Sequence, residues 1–406
     1  MATAILPGLA DPLRWLLGDQ CARFLSDSYE QRAVVARHGD PARFRGLLSI
    51  ADIDRIVAEH DLKRGMLMLA DSARRLEESA FVSPSGAIDR AAVAHHYQLG
   101  ATIILNQLQE SDGDMAALCR ALEKLFSCHV QTNTYLTPPS SQGFRTHYDN
   151  HDVFVIQIEG EKTWTLYDRP VAAPYRGEQF EPGAGRPVGE PAEVFVLKAG
   201  DCAYVPRGLL HDAATTGDQP SLHITCGLIV RTWADLMLEA ISQVCVEDPA
   251  FRRSLPPDFA RPDFDRTRLA APFEALMERL SKQASPDSAL DLAIQDFIAS
   301  REPDVSGAIA GAHAPLAASY AARPSIWRIE EELVDGAPGV RLVSSTVNQS
   351  FPGLSRGDLE RMMSGEPFGP EELEGSGGAK VVRQLVAAGM IAAITPERVG
   401  ADQPAE

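Results

Sequence analysis

The sequence predicts an α+β protein of several domains: a strand-built core with flanking helices, then a helical block, then a small mixed module. Three observations carry this. Between His129 and Val230 the chain is a series of short apolar or β-branched runs broken by Gly and Pro, the pattern of a barrel or sandwich. From Trp233 the apolar spacing becomes that of amphipathic helices. From about Arg323 short strand patterns and helices mix again. At 406 residues the chain is long enough for two or three cores.

Taken in order, Leu13, Leu16, Leu17 and Phe24 share one face of a helix expected from Pro12 to Leu25. Ser49 is placed to cap a second helix, with Asp52 three residues on and Ile53, Ile56 and Val57 as its apolar stripe. Short strands are expected at Met66–Leu69 and Thr102–Leu105, and a helix from Asp114 to Phe126. His129–Thr137 reads as a strand that Pro138-Pro139 stops, with Asn133 and Tyr135 on one face. Val153–Ile158, the turn Glu159-Gly160-Glu161 and Lys162–Tyr167 read as strand, turn and returning strand. Ala172–Pro191, rich in Gly and Pro, reads as a long surface loop. Val194–Leu197, Cys202–Val205 and Ser221–Val230 complete the strands.

In the helical block Met237, Ile241, Val244 and Cys245 fall on one face. So do Phe273, Leu276, Met277 and Leu280, and then Leu290, Ile294, Phe297 and Ile298. No neighbouring segment covers these faces, which points to a homodimer through residues from about 234 to 310. Beyond it, Ile326–Leu333 and Gly339–Val347 read as strands, Ser355–Met363 and Gly378–Ala388 as helices, and Met390–Ile394 closes a winged-helix-like module. From Pro324 to Glu406 there are 7 basic and 13 acidic residues, so no direct DNA binding is expected of it and a structural or protein-binding role is.

The net charge of −18 argues against nucleic acid and suits a basic protein or peptide partner. No apolar run approaches the ~20 residues of a membrane span. The start, MATAILPGLADPLRW, lacks the basic and apolar regions of a signal peptide, so a cytoplasmic location is expected. The six cysteines form no CxxC pair and read as reduced thiols.

The chemistry centres on His147-Tyr148-Asp149. In an extended strand residues two apart point the same way, so one imidazole and one carboxylate would converge. Two His and one carboxylate with the remaining positions open is the ligand set of non-haem Fe(II) oxygenases. The triplet alone is a weak signal, since polar residues on a wet strand face give the same pattern. Its neighbours, an apolar strand and a hairpin ending in Lys162 and Trp164, strengthen it. Two residues compete as the second His. His211 follows the turn Pro206-Arg207-Gly208, which fixes the chain before it; His223 lies within a strand. His151 and Asp152 read as supporting or surface residues.

Here the sequence resembles a family. FRGLLS near Arg45, NTYLTPP at Asn133, THYDNHDVFVIQIEGEKTW at Thr146 and YVPRGLLHDA at Tyr204 resemble the cupin-like JmjC oxygenases, in particular their ribosomal-oxygenase branch. The resemblance covers nearly the whole chain. It implies a double-stranded β-helix catalytic domain over residues 1–232, a helical dimerisation region over 233–315 and a winged-helix domain over 316–406. It implies Fe(II) held by His147, Asp149 and His211, with 2-oxoglutarate and O₂ as cosubstrates. It carries Lys162 over to the residue that holds the distal carboxylate of 2-oxoglutarate. Asn133, Tyr135 and Thr225 match residues lining that pocket. The implied reaction is hydroxylation of a protein side chain, a His or Arg of a ribosomal protein. The alternatives are a JmjC lysine demethylase, a peptide natural-product hydroxylase and a binding protein without turnover. An independent argument bears on Lys162: a buried ammonium needs a partner, and one end of a dicarboxylate supplies it. An exposed strand lysine is the other reading. Asn133 could merely satisfy a neighbouring backbone group.

Overall fold

The structure is a computed structural model that describes residues 7–394 apart from 176, 179, 181–187, 335, 346 and 374–376. The expected loop at Ala172–Pro191 therefore lies partly outside the described residues. Contacts divide the chain into two units, one built on the residues up to Val230, the other on Arg231–Ala321 and Ile326–Ile394.

In the first unit the helices are α1 (Pro12–Leu17), α2 (Cys21–Asp27), α3 (Ile50–Glu59), α4 (Arg90–Gln98) and α5 (Gly113–Phe126). The strands are β1 (Val34–Ala36), β2 (Leu67–Ala70), β3 (Thr102–Asn106), β4 (His129–Thr137), β5 (Asp152–Glu159), β6 (Glu161–Leu166), β7 (Glu193–Lys198), β8 (Cys202–Val205), β9 (His211–Ala214) and β10 (Ser221–Ile229). They form a seven-stranded sheet, β1-β8-β5-β10-β4-β3-β2, and a three-stranded sheet, β7-β6-β9, with antiparallel pairing throughout.

The two faces of β5 explain its unbroken apolar run. Val153 and Val155 join Trp164, Leu166, Phe195 and Leu197 of the smaller sheet in a core between the sheets. Phe154 and Ile156 point the other way, into a larger core with Leu16, Phe24, Ile53 and Leu118 of the helices. A strand buried on both faces loses the usual polar alternation. The Ser49–Asp52 capping box forms as expected and starts α3.

The expected helix Pro12–Leu25 is two helices. The chain breaks at Gly18, whose φ of 58° lies in the left-handed region, and a 3₁₀ turn at Gly18–Gln20 leads into α2.

The second unit holds α6 (Trp233–Glu247), α7 (Ala270–Gln283), α8 (Pro286–Ala299) and α9 (Ala308–Gly311). Then come β11 (Tyr320–Ala322), β12 (Arg328–Val334), β13 (Ala337–Val343), β14 (Asn348–Pro352), α10 (Arg356–Met362), α11 (Gly378–Ala387) and β15 (Ile391–Ala393). β12-β13-β14 is one sheet and β11-β15 another. The single strand expected over Gly339–Val347 ends at Val343, because the chain turns back there, Ser344 N–H donating to the Val347 carbonyl at 2.7 Å. No helix among the described residues is long and apolar enough to cross a membrane. None of the six cysteines is in a disulfide, and Cys119, Cys128, Cys202 and Cys226 are buried.

Candidate metal centre

His147 and His211 meet in one antiparallel bridge. The His147 N–H donates to the His211 carbonyl at 3.0 Å and the His211 N–H to the His147 carbonyl at 2.8 Å. The sequence places His147 and Asp149 on a strand face. The structure instead leaves Tyr148 to His151 outside any strand. Asp149 is held by a different contact, its carbonyl accepting from the Gly208 N–H at 2.9 Å. Gly208 has a φ of +80°, and a Cβ there would lie 1.9 Å from the Val171 carbonyl oxygen, so this turn requires glycine.

The side chains converge. His147 Nε2 lies 3.9 Å from Asp149 Oδ1, and His211 Nε2 lies 3.7 Å from Asp149 Oδ2. Ligand atoms of all three residues fall within 4.8 Å of one another, the one such group of three among the described residues. His147 Nδ1 sits 2.8 Å from the Arg145 carbonyl and His211 Nδ1 sits 3.0 Å from the Leu209 carbonyl. Each Nδ1 therefore carries the proton and donates it, which leaves both Nε2 lone pairs facing Asp149. Two imidazole nitrogens and a carboxylate oxygen are a donor set that suits a divalent iron. Burial works against the Asp149 charge, yet His211, His147 and His151 hold its carboxyl below the usual range. Burial pushes His211 down, with Asp149 opposing.

A buried ionic cluster fixes the turn before His211. Arg207 Nη1 donates to Asp152 Oδ2 at 2.7 Å and Nη2 to Glu30 Oε1 at 2.6 Å. The Tyr204 hydroxyl donates to Asp152 Oδ1 at 2.7 Å, and Arg169 donates through Nε to the Arg207 carbonyl at 2.9 Å. Beside the bridge, the Thr146 and Tyr167 hydroxyls both donate to Asp212 Oδ2, at 2.7 and 2.8 Å.

Beneath the cluster a cavity opens between the sheets, lined by Tyr135, Val155, Lys162, Trp164, His223 and Thr225 among others. Lys162 is buried at 4% exposure, its ammonium donating to Thr137 Oγ1 at 2.9 Å. Burial pushes this lysine down to about 7. His223 stacks on Tyr135 with ring centroids 4.7 Å apart, and burial, then Lys162, lowers it well below its ordinary range. His223 Nδ1 and Trp164 Nε1 are buried and have no hydrogen-bond partner among the described residues. A lysine end and two unsatisfied ring nitrogens on a buried cavity fit an anionic, oxygen-rich molecule.

The JmjC domain family matches residues 104–236. Residues 104–236 are a JmjC domain. Among curated relatives, ribosomal oxygenase 1 of Danio rerio is 30% identical over 301 residues, covering 70% of this chain and 55% of that protein. The Homo sapiens ribosomal oxygenase 1 is 33% identical over 294 residues, 68% of this chain and 45% of the other. The bifunctional lysine-specific demethylase and histidyl-hydroxylase NO66 of Dictyostelium discoideum is 37% identical over 275 residues, 64% and 50% of the two. The chain spans about half the length of the curated relatives it matches. A solved structure of the Escherichia coli ribosomal oxygenase YcfD, in complex with cobalt and 2-oxoglutarate, is 15% identical with a TM-score of 0.52. It covers 93% of this chain and 99% of that one, a likeness of fold.

Within the JmjC domain the sequence-derived residues sort by position. His147, Asp149 and His211 form the cluster, and Lys162, Tyr135 and Thr225 line the cavity. Asn133 is not among the lining residues. Its Oδ1 accepts from the Gln107 N–H at 3.3 Å, and its side chain lies beside the Tyr135 hydroxyl. Sequence reasoning missed Trp164 as part of the cavity and Thr137 as the acceptor that holds the Lys162 ammonium. Thr137 was within reach, because it alternates with Asn133 and Tyr135 on β4.

Proposed function

We propose that the chain is an Fe(II)- and 2-oxoglutarate-dependent oxygenase that hydroxylates a side chain of a protein substrate. The observation that carries this is a His-Asp-His cluster directly above a buried lysine in one cavity. His147, Asp149 and His211 would hold Fe(II) through Nε2, a carboxylate oxygen and Nε2, leaving its other positions open. Bound Fe(II) with 2-oxoglutarate and O₂ supplies the oxidation that places oxygen in a C–H bond, with succinate and CO₂ as coproducts. Lys162, positioned by Thr137, would bind the distal carboxylate of 2-oxoglutarate. Tyr135 and Thr225 would wall the cosubstrate, with Asn133 supporting Tyr135 from outside the cavity. Val153, Val155 and Trp164 keep the space dry, which strengthens each charged contact in it.

The substrate in this reading is a basic protein, a ribosomal protein His or Arg, in keeping with the −18 charge and with relatives named ribosomal oxygenase and histidyl-hydroxylase. The cytoplasm is the expected compartment. The helical region 233–315 serves as the dimer interface, supported by Met237, Phe273, Met277 and Leu290, each about half exposed or more. Residues 316–406 form a winged-helix-like module for protein contacts, supported by the mixed strands and helices there and by its acidic balance. Lysine demethylation is a second reading, favoured by the bifunctional name of the NO66 relatives.

The test is purified protein with Fe(II), 2-oxoglutarate and a mixture of ribosomal proteins. Hydroxylation adds the mass of one oxygen to a target and forms succinate. Demethylation removes the mass of a methylene instead. No succinate under either condition contradicts both readings.

A further inference from the structure

Next to Asp149, just outside the residues that line the cavity, stands a side chain that the reading above does not use. Along β10, His223, Thr225 and Gly227 share one face. Across β4 they stand opposite Tyr135, Asn133 and Gln131, and across β5 opposite Gln157, Val155 and Val153. The strands thus carry three successive layers outward from the Lys162 end, and Gly227 stands in the outermost. A Cβ at Gly227 would lie 2.6 Å from Cδ2 and 2.7 Å from Nε2 of His151. Gly227 is not in the left-handed region, so its backbone does not require glycine. What requires it is space: the His151 imidazole occupies the place of a side chain. The ring's Nδ1 sits 3.1 Å from Asn150 Oδ1, and the residue is half-buried. One side of the ring therefore rests on the strand while the rest meets solvent, two residues from Asp149.

We propose that His151, seated on Gly227, is the specificity-determining residue of the cavity mouth, a flat wall against which a planar, nitrogen-bearing side chain of the substrate lies as it reaches the His147–Asp149–His211 cluster. This rests on the hydroxylase reading. An imidazole or a guanidinium stacks on such a ring, whereas the ammonium of lysine has no flat face to offer. The neighbouring groups, Gln131 opposite Gly227 and Asn150 beside His151, are amides that accept or donate to either planar group without adding charge.

The test uses three basic peptides that differ only in a central His, Arg or Lys. Each is titrated by calorimetry into the full chain loaded with Co(II) and 2-oxoglutarate. The wild-type chain is expected to bind the His or the Arg peptide about tenfold tighter than the Lys peptide, the upper end of what one stacked pair contributes; which of the two wins names the target. His151→Ala removes the wall and Gly227→Ala displaces the ring. Both should shrink the preference to about twofold while 2-oxoglutarate binds as before, and His151→Phe, which keeps a flat ring, should restore it. A preference that survives both alanine variants overturns the proposal. So does equal binding of the three peptides, or none, by a chain that holds Co(II) and 2-oxoglutarate. A chain that holds neither metal nor cosubstrate overturns the hydroxylase reading itself, and this assignment with it.

Discussion

His147 and His211 exchange both backbone hydrogen bonds of a single antiparallel bridge, at 3.0 and 2.8 Å, so two imidazoles 64 positions apart in the chain are held together at one point. Their ring centroids are 4.7 Å apart, and both Nε2 atoms face Asp149. His223 stands apart, stacked on Tyr135 over the cavity. The second histidine of the cluster is therefore His211. His211→Ala should weaken Fe(II) or Co(II) binding by more than about 100-fold, beyond the range typical of residues that only support ligands. His223→Ala should keep the metal and weaken 2-oxoglutarate binding. Metal titration of both purified variants checks this, and the opposite pattern moves the assignment to His223.

Lys162→Met should raise the KM for 2-oxoglutarate about ten- to a hundredfold, the loss of one charge-assisted contact of roughly 1.5–3 kcal/mol. Metal affinity should stay within about threefold. The ligand-free chain should become more stable, since the wild-type lysine is buried with a single hydroxyl acceptor and its burial disfavours the charged form. Steady-state kinetics and urea midpoints measure the two effects. An unchanged KM would place the distal carboxylate elsewhere.

The same lysine sets a pH dependence. Burial holds it at about 7 against an ordinary 10.5. Between those values the unfolded chain binds the extra proton and the folded chain does not, so stability of the ligand-free protein rises with pH through that window. A dicarboxylate restores the charged form, so 2-oxoglutarate binding should take up a proton above about pH 7 and weaken as pH climbs. Calorimetry in buffers of different ionisation enthalpy reads the proton uptake. Equal pH slopes for wild type and Lys162→Met would remove Lys162 from this role.

Arg207→Met leaves Asp152, which is fully buried, without its cation. Breaking a buried pair in this way costs about 3–5 kcal/mol. Replacing both partners, Arg207→Met with Asp152→Leu, should recover much of that in a denaturation experiment. A single variant within about 1 kcal/mol of wild type would show that the turn before His211 does not depend on the pair.

Much of the scaffold was legible in the sequence because its signals are local. His129–Thr137 forms a strand over the residues expected, since the proline pair after it forbids continuation. Ser49 and Asp52 announce α3. The break at Gly18 was hidden, because the apolar positions Leu13, Leu16, Leu17 and Phe24 stay buried on either side of it and keep a helical spacing. His147, Asp149 and His211 come together in the structure, but not through the strand geometry the sequence suggests, which the chain does not adopt between Tyr148 and His151. The Arg207 cluster was invisible: its partners lie 55 and 177 residues away, and no periodicity links them.

In the proposed reaction this cavity couples 2-oxoglutarate turnover to oxygen insertion in a basic protein. The most direct measurement incubates the purified chain with Fe(II), 2-oxoglutarate, isotopically heavy O₂ and ribosomal proteins, then weighs the products intact. One heavy oxygen atom is expected in a single target for each succinate formed, and neither product with His211→Ala. Succinate formed without any heavy oxygen in protein, or loss of a methylene from a methylated lysine, would contradict it.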